Sequence, residues 1–126
     1  MSKRKILIVD DEVNFTNLVK LNLEATGKFE VKIENKGGQA LETARAFRPE
    51  FIFLDIIMPD IDGAQVHEDL QQDEGLNGIP VVFLSAVIPP EEAQKVEGLL
   101  AGHSYLSKPV NVRQMVAAIE DQLGHS

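Results

Sequence analysis

Apolar positions along the chain keep two rhythms. Ile6–Val9, Phe51–Leu54 and Val81–Leu84 are continuous apolar runs, the pattern of strands buried on both faces. Phe29–Ile33 alternates apolar and charged residues, which predicts a half-exposed strand. Tyr105-Leu106 is a very short fifth candidate. Between these runs, apolar residues recur at helical spacing: Val13, Leu18, Val19, Leu21 and Leu23; Ala40, Leu41, Ala44 and Phe47; Ala64, Val66 and Leu70; Ala93, Val96, Leu99 and Leu100; and Val112, Met115, Val116, Ile119 and Leu123. Punctuation supports the division. Thr26-Gly27 and Gly102 end helices, and Pro49 stops another. Asp10-Asp11-Glu12 suits the first turn of the first helix, and Pro89-Pro90-Glu91-Glu92 opens the fourth. Asp62 with Gln65, and Asn111 with Gln114, read as capping boxes for the third and fifth.

A strand followed by a helix, five times over, predicts an α/β fold with a parallel sheet. The doubly apolar strands belong in its centre, and the alternating second and short fifth strands at its edges. With right-handed crossovers the order 2-1-3-4-5 satisfies this, a flavodoxin-like (βα)5 arrangement with helices on both faces. Ligands of such sheets bind beyond the carboxyl ends of the strands, at the switch point between strands one and three.

The 126 residues and 44% hydrophobic content suit one domain with one core, spanning 1–126. Net charge is −8, which argues against direct nucleic-acid or anionic-membrane partners, since phosphate binding needs a basic surface. There are no cysteines, so disulfides and thiolate chemistry are excluded, and a reducing cytosol is compatible with that. No apolar run approaches the length of a membrane span, and MSKRK with its short apolar follow-on is too brief for a signal peptide.

The residues just past the strand ends carry the chemistry. Asp10 and Asp11 follow the first strand, Asp55 the third, Ser85 the fourth and Lys108 the fifth. Carboxylates crowded together repel unless protonated or joined by a cation. Oxygen donors without histidine or cysteine favour a hard ion, Mg²⁺ or Mn²⁺. Lys108 offers a compact positive charge and Ser85 a neutral hydroxyl donor for a phosphoryl group. The set suits phosphoryl transfer to an aspartate. Glu12 is expected to point away from it, and His67, His103 and His125 read as scattered surface histidines.

Four segments in this order, ILIVDDE (6–12), FLDIIMPDIDG (53–63), PVVFLSA (80–86) and YLSKP (105–109), resemble the response-regulator receiver domain of two-component signalling over nearly the whole chain. The resemblance implies that Asp55 is the phosphoacceptor, with the phosphoryl group supplied by a histidine kinase or histidine phosphotransfer protein in the cytoplasm. It implies Mg²⁺ on Asp11, Asp55 and the Ile57 backbone carbonyl, Asp10 acting mainly through water, and phosphoryl contacts from Lys108 and Ser85. It also implies a cis Lys108-Pro109 peptide and a switch pair, Ser85 and Tyr105, that reshapes the face of helix four, strand five and helix five for a downstream protein. Catalysis would extend no further than the chain's own phosphorylation and dephosphorylation. Ile57 and Val87, two residues beyond Asp55 and Ser85, are apolar and cannot orient water, so self-dephosphorylation is expected to be slow.

Two other functions compete. A Mg²⁺-dependent phosphohydrolase of the haloacid-dehalogenase type also uses an aspartate nucleophile, but normally carries Asp-x-Asp at the first strand and a cap domain. A docking module independent of phosphorylation would not need the complete acceptor set. With no output domain read after the last helix, the chain is expected to be a stand-alone regulator or a domain of a larger protein.

Overall fold

The computed structural model describes residues 3–86 and 90–124. Its elements run β1 (Arg4–Val9), α1 (Val13–Ala25), β2 (Phe29–Glu34), α2 (Ala40–Phe47), β3 (Phe51–Asp55), α3 (Gly63–Gln72), β4 (Val81–Ser85), α4 (Ala93–Leu100), β5 (Tyr105–Ser107) and α5 (Val112–Leu123). Single 3₁₀ turns at Gly37–Gln39 and Pro90–Glu92 lead into α2 and α4. All paired strands are parallel, in the order β2-β1-β3-β4-β5. The flavodoxin-like order expected from strand burial is therefore the observed one. Val87, Ile88, Pro89 and His125 lie outside the described residues, and with them the apolar residue expected two positions beyond Ser85 and the first of the two prolines read as opening the fourth helix; the second, Pro90, heads the turn before α4.

Strand alternation splits the core into two layers. Ile6, Ile8, Phe51, Phe53, Val82 and Leu84 face α1 and α5, where they meet Val19, Leu23, Met115 and Ile119. Leu7, Val9, Ile52, Leu54 and Phe83 face the other way, onto Ala44, Val66, Leu70 and Val96 of α2, α3 and α4. Both faces of β1, β3 and β4 are thus covered, as their continuous apolar runs require.

The face of α1 differs from the expected one. Thr16, Val19 and Leu23 are buried, whereas Val13, Leu18 and Leu21 stand 53, 56 and 67% exposed. At about 100° per residue, positions 16, 19 and 23 share one side of the helix while 18 and 21 fall away from it. The buried stripe passes through a threonine, whose hydroxyl turns back onto the Val13 carbonyl at 3.0 Å and accepts from Asn35 Nδ2 at 2.9 Å. Among the described residues no helix is long and apolar enough to cross a membrane.

Capping followed the sequence at one helix and not at another. Asn111 Oδ1 accepts from Gln114 N, and Gln114 Oε1 accepts from Asn111 N, both at 2.9 Å, completing the box before α5. Asp62 makes no such cap. Its Oδ2 takes Lys95 Nζ of α4 at 2.6 Å instead, because a full positive charge outcompetes a neutral amide for a carboxylate.

Candidate functional site

The sheet's register gathers the chemistry at one end. Val9 pairs with Leu54, so Asp10 and Asp55 emerge side by side. Asp55 pairs with Leu84, which puts Ser85 one residue further on. Ser85 pairs with Ser107, and Lys108 N donates to Ser85 O at 2.7 Å, bringing the Lys108 side chain back over the strand ends. The Lys108-Pro109 peptide is cis.

Carboxylate oxygens of Asp10, Asp11 and Asp55 lie within 4.8 Å of one another. Asp10 is fully buried and Asp55 is 5% exposed. Burial is the main influence on Asp55; together with the neighbouring Asp10 charge it pushes the carboxyl up to about 7, against the opposing pull of Lys108. Burial likewise raises Asp10, with Lys108 opposing it. Lys108 Nζ sits 2.7 Å from Asp10 Oδ2, 2.8 Å from Glu12 Oε1 and 3.9 Å from Asp55 Oδ2. Burial alone would lower its pKa, but pairing with Asp10 and Glu12 reverses the direction and holds the amine charged. The Lys108 ammonium also lies 4.6 Å from the Phe15 ring centre, a cation–π contact.

The chemistry of this cluster suits a cation. Asp10 Oδ2 has no partner in hydrogen-bonding geometry among the described residues, although Lys108 is close. Lys108 Nζ, 2.7 Å away, compensates this buried oxygen, but one ammonium cannot neutralise Asp10, Asp11, Asp55 and Glu12 together. All donors are oxygens, which suits a hard ion such as Mg²⁺.

Two features went unread in the sequence. Glu12 does not point away. Its backbone N–H donates to Asp10 Oδ1 at 2.9 Å, which turns the chain ahead of α1 and sends the Glu12 carboxylate onto Lys108. The acids therefore precede α1, whose first turn contains none. Gly63 is the second. Its N–H donates to Ile56 O at 2.6 Å. A Cβ there would overlap the Asp55 carbonyl oxygen and lie 2.8 Å from Ile56 Cα. The backbone that follows Asp55 thus packs directly on the start of α3, and only glycine permits it. Glycine as the opening residue of an amphipathic helix, against its low propensity, was the available signal.

The remaining candidates are placed as follows. Ser85 is buried, and its Oγ donates to Ala86 O at 3.4 Å. Ile57 is partly buried and packs on the apolar layer beneath α3 and α4, beside Val96 and Leu99. Tyr105 is 49% exposed, on the rim of a groove shared with Leu106 of β5 and Gln114, Ala117 and Ala118 of α5. His67 and His103, read as scattered, are in ring contact.

Comparison with known proteins agrees with this geometry. The family model described as response regulator receiver domain matches residues 6–120. The chain is 36% identical over 124 residues to the alkaline phosphatase synthesis transcriptional regulatory protein PhoP of Bacillus subtilis, covering 98% of this chain and 50% of that protein. It thus spans about half the length of that relative. It is 31% identical to the polar-differentiation response regulator DivK of Brucella anthropi, covering 98% of each. Among solved structures, chemotaxis protein CheY4 of Vibrio cholerae superposes with a TM-score of 0.80 at 25% identity, over 95% of this chain and 98% of that one.

Proposed function

The chain belongs to the response regulator receiver family of two-component signalling, and from that premise we propose that it is a switch thrown by phosphorylation of Asp55. The observation that carries the reading is the convergence of Asp10, Asp11, Asp55 and Lys108 on one buried point at the sheet's carboxyl end. Asp55 is the nucleophile. Its carboxylate oxygen attacks the phosphorus of a phosphohistidine, the P–N bond breaks as the P–O bond forms, and the imidazole leaves, so that Asp55 ends as an acyl phosphate. With its pKa near 7, Asp55 is only partly ionised at neutral pH in the apoprotein; a cation or Lys108 drawn closer favours the nucleophilic form.

Asp11, Asp55 and the Ile57 carbonyl would hold Mg²⁺, with Asp10 supporting through water, and the ion would supply charge neutralisation for the transferring phosphoryl oxygens. Lys108 then exchanges its contacts with Asp10 and Glu12 for the phosphoryl group. Among the described residues the Ser85 hydroxyl makes one long bond, to Ala86 O, and it turns toward the same group. Tyr105, outward on β5, follows by moving toward the space Ser85 leaves, and the face of α4, β5 and α5 changes shape for a downstream protein.

The donor is a histidine kinase or histidine phosphotransfer protein of the cytoplasm. Val13, Leu18 and Leu21 are exposed apolar side chains on α1, the helix that begins three residues past Asp10, and a protein delivering a phosphohistidine can seat against them. Residues 1–126 form one receiver domain in this reading, with no direct role in nucleic-acid or membrane binding. Phosphotransfer profiling against candidate histidine kinases tests it: rapid labelling by one kinase, abolished by Asp55→Ala, supports the assignment, and labelling that survives Asp55→Ala overturns it.

A further inference from the structure

His67 and His103 meet on the α3–α4 side of the sheet. His67 lies in the second turn of α3 and is half-buried, and His103 stands in the exposed turn between α4 and β5. Their ring centres are 5.0 Å apart, with planes inclined at 74°. Phe83 of β4 touches both, at 5.3 Å from His67 and 5.8 Å from His103, so an aromatic ring forms the floor beneath the pair. Neither imidazole takes part in a hydrogen bond or ion pair among the described residues. Burial lowers the pKa of His67, and the nearby His103 adds to the effect. The His67 ring is therefore neutral at physiological pH, the form in which histidine binds metal.

We infer that His67 and His103 form a two-histidine site for a borderline divalent ion, Zn²⁺ or its neighbours Ni²⁺ and Cu²⁺, with water completing the coordination shell. Imidazole nitrogens select these metals. A tetrahedral Zn²⁺ with Zn–N distances of about 2.0–2.1 Å sets two ligating ring centres roughly 5 Å apart; the rings here meet edge to face at 5.0 Å, so rotation of the exposed His103 ring, without a change in that separation, is what turns the nitrogens onto a shared ion. His103 is exposed and can rotate to present either ring nitrogen, and its position in an open turn leaves the remaining coordination positions to water. The site differs in kind from the carboxylate cluster, whose hard oxygens prefer Mg²⁺, so the two ions do not compete for one place. Occupancy ties α3 to the turn that feeds β5, two residues ahead of Tyr105. The binding itself does not depend on phosphorylation and is testable without it.

The experiment is calorimetric titration of the full chain with ZnCl₂ in excess Mg²⁺, repeated on His67→Gln and His103→Gln. One Zn²⁺ per chain is expected in the wild type, with affinity weakened by about tenfold or more in each variant. The Cε1–H resonances of both histidines should shift together as Zn²⁺ is added to the wild type. Unchanged affinity in both variants places the ion elsewhere, and loss in only one shows that the rings do not share it. Either result overturns the proposal, as does the absence of binding to the wild type at millimolar Zn²⁺. If His67→Gln fails to fold, affinity lost in His103→Gln together with a joint shift of both Cε1–H resonances in the wild type supports the shared site, and a shift of the His103 resonance alone overturns it.

Discussion

Replacing Asp55 by Asn should stabilise the apoprotein, and by an amount that depends on pH. The buried carboxyl has its pKa pushed from 3.8 to about 7, so the folded state holds that proton more tightly than the unfolded chain does. Stability from this source is complete below the unfolded pKa and is lost as pH rises through the folded one. At about 1.4 kcal/mol per pH unit, ionising Asp55 in the fold costs ~4 kcal/mol once the pH is above about 7. Asn keeps the shape without the charge. The variant should therefore exceed the wild type by ~4 kcal/mol at about pH 8, and by only ~1 kcal/mol at about pH 4.5. In melting temperature the larger figure corresponds to roughly 10–20 °C for a chain of this size. Urea and thermal unfolding of both proteins in EDTA, across that pH range, measures the difference. Mg²⁺ at about a hundredfold over its Kd should then stabilise the wild type by about 2.7 kcal/mol and the variant by less. Equal stability of the two proteins at high pH, or a gap that does not change with pH, would refute the claim that Asp55 is strained by burial and by Asp10.

Other expectations follow from the same contacts. Lys108→Met leaves Asp10 buried without its cation, which should cost about 3–5 kcal/mol above neutral pH and less as acid protonates Asp10; urea midpoints across pH test this. Gly63→Ala forces the Asp55–Ile56 backbone aside and should destabilise by about 1–3 kcal/mol while weakening Mg²⁺ binding, read by urea unfolding and by Mg²⁺ titration. Ile57→Asn puts a polar side chain two residues beyond the proposed acceptor Asp55, so phosphoryl decay should quicken relative to the wild type in a quench-flow or fluorescence assay; unchanged or slower decay counts against Ile57 as a control on lifetime.

What the sequence revealed, and what it concealed, divides by the range of the interaction. Strand order was legible because burial on two faces leaves a continuous apolar run, as at Phe51–Leu54, and burial on one face leaves alternation, as at Phe29–Ile33. The convergence of Asp10, Asp11, Asp55, Ser85 and Lys108 followed from the same order, since a parallel sheet aligns its carboxyl ends. Contacts between distant side chains were not legible. Asp62 had the spacing of a cap, but Lys95 of α4 claimed it. Glu12 looked like a helix-start acid until Lys108 arrived from 96 residues away. The α1 stripe misled because apolar residues off the true face, Leu18 and Leu21, outnumber the cues offered by buried Thr16. His67 and His103 carry no periodic signature at all, and only the packing of α3 against the turn before β5 joins them.

Asp55 is proposed to accept the phosphoryl group with help from a cation bound among the carboxylates. Intact-mass spectrometry of the chain incubated with acetyl phosphate, with and without Mg²⁺, reads this in one step. One phosphoryl group should be gained in Mg²⁺, little or none in EDTA, and none by Asp55→Asn in either condition. A phosphoryl gain that persists in Asp55→Asn, or one indifferent to EDTA, would rule out Asp55 as a cation-assisted acceptor.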